Sequence, residues 1–246
     1  MSKYYYDLHM HSCLSPCADD SMTPATIAGM ATLAGLQVVA LTDHNTTKNC
    51  PAFFEACKAY GLVPIAGMEL TTAEDIHIVC LFETLQAAME FDDALNPYRI
   101  KIPNRPKIFG NQHIVDVDDN IIGQIDDLLI NATTLSVNEA VDLARSYGAA
   151  VHPAHIDREG NGMIAILGDI PEDIHFTTVE FHDRDKEEQY RQQYKSLQGK
   201  RAIFCSDSHY LENIPDAQNQ IEIPDEPYSS SLVRSNLIKI LKGENL

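Results

Sequence analysis

Two imidazoles placed two residues apart, His9 and His11, leave an extended segment on the same side, because side chains along a strand alternate with a period of two. Imidazole nitrogen is the commonest protein donor to transition metals, so the pair is a candidate metal clamp. By itself the spacing says little, since core histidines produce it too. Acids and imidazoles recur, however, just past later apolar runs: Asp43 and His44, Glu69, His152 and His155, then Asp207 and His209. His77 opens its run instead of closing it, and Glu180 shares one strand face with His182. Nitrogen and carboxylate oxygen without thiolate suit Zn, Mn or Fe better than Mg, which prefers oxygen and keeps its waters.

These residues need strands to carry them. Alternation over 4–12 puts Tyr5, Asp7, His9 and His11 on one face, and Tyr4, Tyr6, Leu8 and Met10 on the other, where covering helices would pack. Further strands are expected at 37–42, 62–66, 76–82, 149–151, 177–181 and 202–205. A helix starts at the N-cap Thr23 with Pro24 behind it and runs to Gly35, and another passes through Phe53 and Cys57 to Gly61. Ser136 and Glu139 form a capping box for a helix to Tyr147, and 230–242 is an amphipathic helix. Between 91 and 134 the alternation stops: Pro97, Pro103 and Pro106 break helices, and 113–117 with 121–124 predicts a hairpin turned at Asp118-Asp119-Asn120. This stretch is expected to be an insertion or lid without a core of its own, with His113 a surface residue. Seven strands separated mainly by helices imply a parallel sheet, and polar residues beyond six or seven strand ends favour a closed barrel over an open doubly wound sheet.

The chain has 246 residues, 44% apolar, enough for one large core. Its formal charge of −18 repels polyanions, so long nucleic acid is an unfavoured partner. Six cysteines lack disulfide-framework or CxxC spacing, no run approaches a membrane span, and the first residues have no signal-peptide character, so a cytoplasmic protein with reduced thiols and no membrane partner is expected.

His9-Met-His11, Thr42-Asp43-His44, Gly67-Met-Glu69, His77, Val151-His152-Pro153 and Ser206-Asp207-Ser-His209 resemble, in order and spacing, the motifs of the PHP (polymerase and histidinol phosphatase) family over residues 4–211. The resemblance implies an α/β fold, a distorted (β/α)7 TIM-like barrel with an inserted hairpin or lid segment, forming a single domain over 1–246. It also implies two or three divalent metals. A first would take His9, His11, Glu69 and Asp207, a second Glu69 as bridge with His77 and His152, and a third His44 and His209. The third ligand loop, 12–18, is longer than usual; counting back from Thr23-Pro24 selects Asp19, with Asp20 as runner-up. Cys17 lies close by in sequence but is not assigned.

That many donors exceed one structural ion, and a bridging carboxylate is usual where two cations sit ~3.5–4 Å apart. The expected reaction is hydrolysis of a small phosphomonoester, a phosphorylated metabolite or nucleotide, by a metal-bridging hydroxide, with Glu69 and Asp207 at the catalytic centre. Arg158, His155 and His182 are the candidate substrate contacts, Arg158 either forking onto phosphate or making a surface ion pair. Glu180 and His182 are alternatively a buried hydrogen-bonded pair, and Asp43 is an orienting residue. Lys48 and Arg184 are weaker phosphate candidates, for which a solvated charge is the favoured reading, and His175 is structural. Two alternatives stand beside the phosphatase: an exonuclease on short nucleic acid, and a catalytically silent metal-binding module.

Overall fold

A computed structural model describes residues 1–246. Three apolar runs pair in parallel, β1 (Ser2–Asp7), β2 (Val38–Leu41) and β3 (Val63–Thr71), linked by α1 (Pro24–Leu33) and α2 (Cys50–Tyr60). Thr23 caps α1 and Gly61, at φ 75°, closes α2 in the left-handed region. The next strand departs from the expected all-parallel order: β4 (His77–Phe82) is antiparallel to β3 and to β7 (Ala150–Pro153). The reason is the short link 72–76, since a parallel return needs a crossover of a dozen or more residues. Another strand, β10 (Gln220–Ile223), which the sequence pattern did not reveal, adds antiparallel to β1. The result is a curled six-stranded sheet in the order β10-β1-β2-β3-β4-β7, with β8 (Thr178–Phe181) and β9 (Arg201–Phe204) as a separate parallel pair.

The pair bridges the open side of the curl. Ile156 N donates to Glu180 O at 2.9 Å beside β7. On the β1 side a side chain takes the place of a backbone ladder: Phe204 N donates to the Tyr6 hydroxyl at 3.3 Å and Ser206 N to Asp7 Oδ1 at 3.2 Å. Burial pushes the Asp7 carboxyl up to about 6 against those bonds.

Two apolar cores flank the sheet. On the outer face Val39, Leu41, Met68, Ile78, Cys80 and Phe82 pack with α1, α2, α3 (Leu85–Leu95) and α5 (Val137–Ser146). On the inner face Val38, Ala40, Val63, Ile65, Val79 and Leu81 pack on the C-terminal helix, Ser230–Lys242. Tyr4, Tyr6 and Leu8 belong to this inner core, so that face of β1 meets the C-terminal helix and not the outer helices expected from the pattern. Met10 crosses to the outer core, because β1 ends at Asp7 and the alternation breaks there.

The irregular segment begins at residue 96, after α3, slightly later than expected. It holds α4 (Pro106–Phe109) and the expected hairpin, β5 (His113–Val115) with β6 (Ile121–Gln124). It is tied to the rim by Asn45 Nδ2 to Leu129 O and Asn131 O (2.7 and 2.9 Å), by Asn49 Nδ2 to His113 O (3.1 Å), and by Arg99 Nε to Asn45 O (2.9 Å). The remaining helices are α6 (Met163–Leu167) and α7 (Glu187–Gln193), so the C-terminal helix is α8. No helix is long and apolar enough to cross a membrane.

If α8 is the plug of the inner face, Leu237→Ala should cost about 3 kcal/mol in equilibrium urea unfolding, as expected for a fully buried leucine. Leu33→Ala, at an exposed position, should change stability by less than about 0.5 kcal/mol.

Candidate metal centre

Every strand-end residue singled out from the sequence faces one rim, and β4 explains His77. Because that strand is reversed, its first residue lies opposite Thr71 near the end of β3, beside the other imidazoles. Glu69 stands at the middle of the rim. It is delivered by Gly67, where a Cβ would fall 2.8 Å from both Leu81 Cδ2 and Thr42 Cγ2, so the strand reaches this position only with glycine there. Five imidazoles approach the two oxygens of Glu69: His77 at 2.8 Å, His44 at 3.1 Å, His155 at 3.1 Å, His11 at 3.2 Å and His9 at 3.3 Å. Asp207 Oδ1 lies 3.0 Å from His11 Nε2 and 3.3 Å from His9 Nε2.

Hydrogen bonds behind the cluster set the tautomers. His9 Nδ1 donates to Glu180 Oε1 at 2.9 Å and His209 Nδ1 to Asp207 O at 2.8 Å, leaving each Nε2 as the nitrogen free to bind a cation. The Ser15 hydroxyl donates to Asp43 Oδ1 at 2.7 Å, so it accepts from His11 Nδ1 at 3.0 Å and fixes that ring likewise. His9 Nε2 and His11 Nε2 then face each other 3.2 Å apart. His44 Nδ1 and His77 Nδ1 are buried beside Glu69 without a hydrogen bond, and so is Asp207 Oδ1. Buried nitrogens and carboxylate oxygens converging in this way, several of them without a hydrogen bond, fit a cation that would take the place of ring protons. Three donor groups emerge: His9, His11, Glu69 and Asp207; His44, Glu69 and His77; and His11, His44 and His209.

Charge follows the same geometry. Burial would raise Glu69, but His77, His9 and His44 outweigh it and hold the carboxyl well below its usual range. Burial also opposes a proton on His11, yet Asp207 and Glu69 lift it to about 9. Burial and the neighbouring charge of His11 bring His209 down to about 4.

The remaining residues fall as follows. His152 is not in a donor group; its Nε2 is 3.5 Å from Glu180 Oε2, away from Glu69. His155, expected at the substrate edge, is instead inside the cluster on Glu69, with φ 25° and its backbone N–H on Glu180 Oε1 at 3.2 Å. Asp19 is exposed and its carboxylate accepts from Ser21 N and Oγ, while Asp20 accepts from Asn111 Nδ2; neither carboxylate enters the cluster. Arg158 grips Asp207 Oδ2 through Nη1 and reaches His182 Nδ1 through Nη2 at 3.0 Å, at the mouth of the site. Asp43 orients through Ser12 and Ser15, and Ser15 had no signal in the sequence beyond its polarity.

A buried His/Glu/Asp cluster on the rim of a curled α/β sheet defines a metal-dependent hydrolytic enzyme. The PHP domain family model matches residues 7–214, and the chain belongs to that family. The 5'-3' exoribonuclease Rnm of Salmonella typhimurium is 38% identical over 81 residues, 31% of this chain and 27% of that protein. A 5'-3' exoribonuclease of Haemophilus influenzae is 37% identical over 79 residues, 31% of this chain and 28% of that protein. The chain thus matches less than a third of these relatives' length. The lesion-specific endonuclease PfuEndoQ from Pyrococcus furiosus superposes with a TM-score of 0.68 at 18% identity, covering 99% of this chain and 57% of that one. An amidohydrolase from Chromobacterium violaceum superposes with a TM-score of 0.59 at 18% identity, covering 89% and 92%. At that identity the superpositions show a shared fold.

Metal uptake must displace the proton of His11, so affinity should rise from pH 6 to about 9, with proton release measurable by calorimetry in buffers of different ionisation enthalpy. The stripped protein should behave oppositely. His11 is raised from 6.5 to about 9, so its pairing stabilises the fold fully below pH 6.5 and is lost as pH climbs through 9. The melting temperature of stripped protein should therefore fall over that window, and that of loaded protein should not follow it.

Proposed function

We propose that this protein is a phosphoesterase that hydrolyses a small phosphomonoester, a phosphorylated metabolite or nucleotide, in the cytoplasm. One observation carries the reading: a single buried carboxylate, Glu69, is shared between two donor groups, as a bridge in a two-cation centre requires. In this reading His9, His11, Glu69 and Asp207 would hold one cation and Glu69, His44 and His77 a second; the group of His11, His44 and His209 overlaps both, so His209 is the donor it adds for a third. Zn, Mn or Fe suits these donors. Bound there, such cations supply Lewis acidity and lower the pKa of coordinated water toward neutrality.

The chain's own residues do the rest. Glu180 and Ser15 keep the Nε2 lone pairs of His9 and His11 turned inward. Arg158, one nitrogen on Asp207, has donors left for phosphoryl oxygens and is held in place by its contact with His182. Burial, then the charge of Arg158, lowers the pKa of His182, so this ring is neutral at pH 7 at the edge of the site. Cys205 does not compete as a nucleophile, because burial raises its thiol well above its usual range. The same proposal takes the chain as a single domain over 1–246, a distorted (β/α)7 barrel with the inserted segment 91–134 as its lid; the bond from Asn45, next to His44, to Leu129 O supports it.

A second reading, an exonuclease on short nucleic acid, is supported by the similarity to exoribonucleases. The charge of −18 confines it to short strands.

The metal-loaded protein should release inorganic phosphate from one or more monomeric esters in a panel of sugar phosphates, mononucleotides and nucleoside bisphosphates, and Asp207→Ala should abolish this. Shortening of oligonucleotides without monomer hydrolysis would establish the second reading instead, and inactivity of fully loaded protein on both panels would leave a silent binding module. Arg158→Ala should lower kcat/KM on the order of 10²-fold, with Arg158→Lys restoring only part, because an ammonium lacks the planar fork.

A further inference from the structure

Beside the metal centre a cavity of about 780 Å³ opens, with Arg158, Asp207, Arg184, Phe204 and Asn219 in its lining. The size falls within the range of small-ligand sites. Part of that wall is a prepared plane. The Arg184 guanidinium lies over the Phe204 ring, 3.8 Å from the centroid, and Arg184 Nη2 donates to Asn219 Oδ1 at 2.6 Å. Asn219 is itself buried and anchored, donating through Nδ2 to Phe204 O at 2.9 Å. An exposed arginine ordinarily samples many rotamers; this one is held with one face on an aromatic ring, and it lines the cavity.

We propose that this wall is a nucleobase platform, so that the substrate of the metal centre is a nucleotide, its base stacked on Arg184 and its phosphate reaching toward Arg158. The inference rests on the phosphoester reading only for the phosphate's place. A flat guanidinium backed by a ring accepts a planar π-face without regard to sequence. The alternative occupant of Arg184, a second phosphate, is disfavoured by charge, because Asp183 and Asp185 line the same cavity on either side of it in sequence. A neutral ring meets no such repulsion. The Asn213 and Gln218 amides, also on the wall, offer donors and acceptors to base edges.

Binding distinguishes these possibilities without turnover. With the metal-loaded full chain, 5'-AMP and ribose 5-phosphate are titrated by calorimetry, at a temperature and time where neither is consumed. AMP should bind about tenfold more tightly, the scale of one base stack. Arg184→Ala should bring AMP down to the level of ribose 5-phosphate and leave the latter within twofold, and Arg184→Lys, which keeps the charge but not the plane, should behave as Arg184→Ala does. Equal affinity of wild type for the two ligands overturns the proposal without needing any variant. So does parallel weakening of both ligands in Arg184→Ala with rescue by Arg184→Lys, the signature of an anion site. Selective AMP binding in a protein that hydrolyses no ester would uphold the platform and overturn only the phosphoesterase reading.

Discussion

Five imidazoles crowd one buried carboxylate, and the rest of the rim is arranged to make that tolerable. Glu69 has about four lone-pair directions for five nitrogens at 2.8 to 3.3 Å, inside a region with almost no solvent access. Buried ionisable groups at such density are costly unless charges of both signs are shared among them. Glu69 and Asp207 supply the negative charge, and protons on His9 and His11 or cations in their place supply the positive. The long β3, braced on α2 outside and α8 inside, holds the carboxylate still while the other ligands come to it from five different connections.

Order behind the ligands matters as much as the ligands. Glu180, the Ser15–Asp43 pair and the Asp207 carbonyl each take one imidazole proton and thereby decide which nitrogen looks inward. Glu180 also accepts from the backbone N–H of His155, so a single second carboxylate orients the His9 ring and anchors the chain at His155, beyond the ends of two separate strands. A loss at Glu180 would be felt as disorder of ligands and not as a missing donor.

Much of this was legible in the sequence for a physical reason: metal ligands fall at strand ends, and strand ends are marked by apolar runs stopping at polar residues. His9, His11, His44, Glu69, His77, Asp207 and His209 all reach one rim because of that rule. The capping box at Ser136 and α8 emerged for a similar reason, as local hydrogen bonding and helical period are written in adjacent residues. Strand direction is not local. The reversal of β4 was readable only from the shortness of 72–76, and β10 is too brief and too polar on one face to stand out. His152 was expected at a metal and His155 at the substrate, yet it is His155 that reaches Glu69, because two residues past a strand the chain's turn, here a positive φ at His155, decides which ring points inward. Asp19 has the right spacing, yet its loop folds the carboxylate back onto Ser21.

Between β1 of the curled sheet and β9 of the separate pair there is no continuous ladder; Tyr6, Asp7 and the Met10–Ser208 bridge hold the two sides. The first donor group straddles that gap, with His9 and His11 from one bank and Asp207 from the other. A cation held there would be a rivet as well as a reagent. It would fasten β1 to β9 where the polypeptide itself supplies one backbone bridge and a few side-chain stitches. The same three side chains, His9, His11 and Asp207, would then serve both the ion and the shape.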